Sequence, residues 1–139
     1  MARSRGELEA EFTKEIIKLE KEYHGRGPLE ARTFFIDDMI LVRLRGVLTQ
    51  AEQKLAETPQ GRALIKETRR QLFETSSSML EDIVCAKLGF QVKSFHSDIS
   101  TKNNERIIVL TLDRKIYIIG LHGGKRYSGF DSVRITLNV

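Results

Sequence analysis

Gly25-Arg26-Gly27-Pro28 divides the chain and limits what can lie on either side of it. Glycine reaches backbone angles closed to other residues, while Pro28 fixes its own φ and disfavours helix at Gly27. A helix that enters this stretch must end there, and the chain must leave in a new direction. Upstream, Leu8, Phe12, Ile16, Leu19 and Tyr23 recur at steps of four, four, three and four. This spacing predicts a helix from about Arg5 to Tyr23 with one apolar face. Glu7, Glu9, Glu11 and Glu15 lie toward its start and Lys14, Lys18 and Lys21 further on, which suits the helix dipole. Downstream, Arg32-Thr33-Phe34-Phe35-Ile36 and Met39-Ile40-Leu41-Val42-Arg43-Leu44-Arg45 read as two strands hinged at Asp37-Asp38.

The same theme then returns. Thr49 and Glu52 have capping-box spacing, which predicts a short helix from Gln50 to about Glu57. Pro59 suits the first turn of a further helix that runs to Lys87 or Leu88, and Gly89 is its natural stop. Its apolar stripe is expected at Ile65, Leu72, Met79 and Ile83, interrupted by Ser76-Ser77-Ser78. Gln91 to Ile99 and Arg106 to Leu112 form a second hairpin about Thr101-Lys102-Asn103-Asn104. An amphipathic helix must bury its stripe, and an antiparallel sheet needs one face covered. The expected fold is therefore α+β: two helix-plus-β-hairpin units forming an antiparallel sheet, covered on one face by helices, with a long third helix. That helix would span roughly 40 Å, more than a small sheet is wide. Its overhang and the bare sheet face point to a homodimer.

With 139 residues, 40% of them hydrophobic, the chain suits one domain that buries roughly 65–70% of its unfolded surface. The expected division is a domain over residues 1–113 and a basic β extension over 114–139. The first part holds 18 Lys/Arg against 18 Asp/Glu, whereas the second holds five cations and one acid, Asp131. Strand-like runs are expected at Lys115–Leu121 and Ser132–Val139, around the glycine-rich loop His122–Gly129. Cys85, the only cysteine, is expected to be a small buried side chain beside Val84 and Leu88, as suits a reducing cytoplasm. No apolar run approaches the roughly 20 residues needed to cross a bilayer, and MARSRGELEAEF has no apolar signal-peptide core. Any membrane role is then peripheral.

Few residues carry chemistry. Arg26 offers a planar fork to a phosphate, a carboxylate or a partner protein, against the plainer reading of a solvated arginine in a helix-ending turn. No Gly-Lys-Ser/Thr ending makes the turn a phosphate loop, and its place before a strand differs from the clamp of a KH domain. His96 and Asp98 share one side of a strand, without the nucleophile or metal set that catalysis would need. Three histidines and one cysteine show no metal-ligand spacing, so neither metal nor cofactor is expected. Arg62, Arg69 and Arg70 are either a stripe for an acidic partner or the partners of Glu67 and Glu74. The basic tail, with Lys125, Arg126 and Tyr127 among its glycines, supports an alternative nucleic-acid-binding reading.

Taken together, Gly25-Arg26-Gly27-Pro28, Arg32, Leu48-Thr49 with Glu52 and Leu55, Gly61-Arg62, Arg69 and the run from Gly89 through Ser97-Asp98-Ile99-Ser100-Thr101 to Leu112 form a recognisable set. The set resembles the MpsC-like family of small bacterial proteins over about residues 8–113. Some members of that family are associated with the sodium-translocating membrane-potential-generating system, whose membrane partners are linked to uptake of dissolved inorganic carbon. The resemblance implies a non-enzymatic cytoplasmic accessory or regulatory subunit, peripheral at the inner face of the membrane and acting on membrane-complex subunits. It offers Arg26, Gly27, Arg32, Arg62, Arg69, Asp98 and Thr101 as candidate partner or anion contacts.

Overall fold

The computed structural model describes residues 4–117. The strand expected at Ser132–Val139 and the loop His122–Gly129 lie outside the described residues, as does Lys115–Leu121 beyond Tyr117. Helix α1 (Arg5–His24) opens on a full capping box, in which the Ser4 hydroxyl accepts from Glu7 N–H and the Glu7 carboxylate accepts from Ser4 N–H. It closes on Gly25, whose φ of 77° is left-handed. Gly27 is not in that region. What constrains it is space, since a Cβ there would lie 3.2 Å from the Lys21 side chain.

Strands β1 (Glu30–Ile36) and β2 (Met39–Arg45) form the first hairpin. Helices α2 (Gln50–Leu55) and α3 (Pro59–Leu88) follow, and β3 (Val92–Ser100) with β4 (Glu105–Leu112) makes the second hairpin. The order β1-β2-β4-β3 joins the two hairpins through an antiparallel β2–β4 pair, with α1 and α3 packed on one face. Strand alternation sends Thr33, Phe35, Ile40, Val42, Leu44, Ile108, Leu110 and Leu112 into that layer, against Leu8, Phe12, Ile16 and Leu19 of α1. Phe12 meets Phe35 edge to face. Ile116 is also buried, so the packed chain runs past Asp113.

Helix α3 buries a different stripe from the expected one. Ile65, Arg69, Phe73, Ser76, Leu80, Val84 and Leu88 face inward, whereas Met79 is exposed and Leu72 and Ile83 are only half-buried. Steps of seven drift off a 3.6-residue helix, and the polar Arg69 and Ser76 conceal the true inward line. Ser76 is satisfied locally, its hydroxyl donating to the Phe73 carbonyl. Buried positions run from Gly61 to Leu88, so α3 has no bare overhang. Cys85 is exposed rather than buried, one position off the inward stripe.

Two details shape the sheet edges. On the outer edge of β1, the Phe35 N–H donates to Glu9 of α1 at 2.8 Å, and the hydroxyls of Thr13 and Thr33 bond nearby. On β3, the ladder slips its register between Val92 and Ser94.

Candidate functional site: an arginine cluster beneath the helices

Arg106 is the one charged residue in the inward row of β4, and it is 2% exposed. Its Nη1 donates to Glu20 of α1 at 2.9 Å and its Nε to the Ser97 hydroxyl at 3.0 Å, while the guanidinium lies 4.8 Å from the centre of the Phe73 ring. Arg69, 5% exposed on α3, reaches the other way. Its Nε and Nη2 donate to Glu52 at 3.0 and 2.6 Å, and Nη2 also donates to the Val47 carbonyl at 2.9 Å. Its Nη1 is buried without a hydrogen-bond partner. An orphaned donor of this kind costs about 1–3 kcal/mol, and more when it is charged.

The electrostatics follow from burial. Burial raises Glu20 above its ordinary range against the pull of Arg106 and Arg69, and burial lowers Arg106 against the pull of Glu20. For both partners desolvation outweighs attraction, so the pair fixes geometry more than it stabilises. His24 lies 3.6 Å from Glu20 with 7% of its side chain exposed. Burial, then the two arginines, hold it down at about 4. Burial alone would raise Glu52, but hydrogen bonds from Arg69 and Thr49 keep it below its usual range.

Between α3 and the β3–β4 hairpin this cluster opens into a cavity of about 380 Å³, lined by Lys66, Arg69, Arg70, Phe73, Ser97, Asp98 and Arg106 among others. Lys66 stands near its mouth, 3.6 Å from the largely exposed Asp98. Arg70 is engaged outside by Glu67 and Glu74, as expected for a solvated helix face.

The expected contact residues do not converge on one place. Arg26 is half-buried and donates from Nη2 to the Gly46 carbonyl at 3.1 Å, tying the helix-ending turn to the loop after β2. Gly46 N–H in turn donates to the Asn104 carbonyl, and Asn104 Oδ1 accepts from Leu48 N–H, so three connections meet at one end of the sheet. Arg62 donates to the Ala56 carbonyl at 3.0 Å, finishing α2, and Thr101 sits in the β3–β4 turn. Arg32 lies over Phe34 on the sheet face away from the helices, 5.5 Å from the ring centre. Only Arg69 and Asp98 border the cavity. His96 is exposed on edge strand β3, with Ser94 Oγ at 3.1 Å. Sequence reasoning passed over Arg106, Glu20 and His24, and only a lone charge in an alternating apolar strand could have marked Arg106.

Among the described residues nothing covers the face opposite the helices. Phe34 and Ile36 are 36% and 45% exposed there, beside the half-buried Met39, Leu41 and Val109. Charges of both signs border this patch, with Arg45 near Glu30 and Arg43 bonded to Glu105. Among the same residues no group of three or more His, Cys, Asp or Glu side chains is placed to hold a metal ion. No helix there is long and apolar enough to cross a membrane. Arg114, from the basic end, donates to the Gly89 carbonyl at the close of α3 and lies over Phe90, and Lys115 sits 3.6 Å from Asp37.

A family model described as Na+-translocating membrane potential-generating system (MpsC) matches residues 4–114. The chain is 41% identical over 112 residues to the uncharacterized protein YbcI of Bacillus subtilis (strain 168), covering 81% of this chain and 90% of that protein. It is 37% identical over 111 residues to the uncharacterized protein YrhF of the same organism, covering 76% and 88%. No solved structure matches.

Proposed function

This chain belongs to the MpsC family, and from that premise we propose that it is a non-enzymatic accessory or regulatory component of a membrane-potential-generating system, acting by protein–protein contact. The observation that carries the reading is the extent of the match, which takes in every helix and strand of the described fold. The system's link to dissolved inorganic carbon uptake is part of the same proposal, as is a cytoplasmic location at the inner face of the membrane.

The contact surface is the open sheet face, and its first occupant is a second copy of the chain. Apolar Phe34 and Ile36 supply the centre, and a border with Arg32, Arg43, Arg45, Glu30 and Glu105 carries both signs. A patch of mixed sign can meet its own copy without net repulsion, as a patch of one sign cannot. The resulting homodimer presents its helical faces outward to membrane subunits. The nucleic-acid alternative has less support, because Arg114 and Lys115 are engaged within the fold.

The test is affinity purification of the chain from native membranes, with and without Phe34→Glu and Ile36→Glu. Membrane subunits are expected to be retained by the parent chain and diminished by the double variant. Sodium-dependent membrane potential that is unchanged after deletion of the gene would sink the reading.

A further inference from the structure

We propose that the cavity between α3 and the β3–β4 hairpin is a binding site for a small oxyanion, a carboxylate or a phosphate, held by Arg69, Arg106, Lys66 and Ser97. Arg69 keeps one buried nitrogen without an acceptor while its other two are occupied by Glu52 and Val47. Native proteins rarely leave such a donor bare, and because Arg69 borders the cavity, a small shift of its side chain would bring that nitrogen to a ligand oxygen.

The surrounding groups have the same polarity. Ser97 Oγ accepts from Arg106 Nε, which leaves its O–H free to donate. Lys66 stands near the mouth with only a loose contact to Asp98. Glu20 and Glu52, the acids that pair with the buried arginines, are not among the residues that line the cavity. Four cations, Lys66, Arg69, Arg70 and Arg106, line the space against two acids, Glu67 and Asp98, so its wall carries an excess of positive charge. Phe73 and Ile99 add an apolar wall. At about 380 Å³ the space exceeds a single ion, which suits an oxyanion carrying a short apolar or hydroxylated body.

The experiment is an amide NMR titration of the full chain with succinate in one arm and inorganic phosphate in the other, at constant ionic strength against chloride. Saturable shifts are expected at Lys66, Ser97 and Arg106, together with a higher melting temperature. Arg69 and Arg106 are left in place, because replacing them strips the half-buried Glu52 and the buried Glu20 of their partners. Lys66→Gln combined with Ser97→Ala should keep the native spectrum and weaken binding by about tenfold. The stronger arm identifies the oxyanion. The proposal is overturned if neither arm shifts these amides beyond chloride, or if the double variant binds as tightly as the parent.

Discussion

Arg69 and Glu52 join α3 to α2 through two parallel contacts, Nε to Oε2 at 3.0 Å and Nη2 to Oε1 at 2.6 Å. The same Oε1 accepts the Thr49 N–H at 3.0 Å, so one carboxylate both starts α2 and anchors α3. A six-residue helix is far too short to persist alone, and α2 exists because this clamp and the cap coincide.

Arg69→Met should therefore destabilise the protein by about 2–4 kcal/mol, since Glu52 loses its partner while remaining only partly wetted. Chemical denaturation measures the loss. Hydrogen exchange should show α2 opening first.

Breaking the deeper pair should cost more. Arg106→Met leaves Glu20 buried with only His24 beside it, and a loss of about 3–5 kcal/mol is expected. Adding Glu20→Leu to that variant should restore much of the loss, because an apolar pair in the same volume carries no desolvation cost. A double-mutant cycle in denaturant reads the coupling, and additive losses would refute it.

Gly61 is required by contact. A Cβ there would lie 1.7 Å from the Leu55 carbonyl oxygen, so Gly61→Ala must push α2 away from α3. The expected loss is at least about 2 kcal/mol. Gly25→Ala meets no neighbour and strains only a φ of 77°, for a loss of about 1–2 kcal/mol. Melting temperatures of the two variants should fall in that order.

Acid should weaken the fold through His24. Its folded pKa of about 4 lies below the ordinary 6.5, so the folded state binds fewer protons than the unfolded one between those values. The stabilisation present above pH 6.5 is lost as pH falls toward 4. Glu20, raised by burial, acts in the opposite sense and offsets part of the slope. Thermal melts across this window should show a shallower decline for His24→Gln, and an equal slope would remove His24 as the cause.

On the open face, Phe34→Glu should abolish self-association while leaving stability within about 0.5 kcal/mol of the parent. Solution scattering at micromolar concentration distinguishes the masses. A monomeric parent chain would exclude the homodimer.

The elements that carry local signals were legible in the sequence. Thr49 and Glu52 announced α2, Gly89 the end of α3, Asp37-Asp38 the first hairpin, and Leu8 through Leu19 the buried face of α1. The arginine cluster was not legible, because its partners meet only after the two hairpins join. Arg106 and Glu20 lie 86 positions apart, and no periodicity links them. Arg69 is visible in the sequence as a candidate contact or as a partner of Glu67 and Glu74, but its real partner, Glu52, lies on another helix. Arg26 was singled out for its glycine turn, yet its acceptor is the carbonyl of Gly46, which bears no side-chain signature.

The Glu9 carboxylate on the Phe35 N–H has a consequence for assembly. An endless ribbon of sheets needs two open edges, one to receive and one to extend. Glu9 occupies one outward donor of β1, so among the described residues β3 is the edge with no helix carboxylate set against its backbone. A strand that pairs with β1 from outside must first displace this carboxylate, and Glu9→Ala removes that obstacle at Phe35.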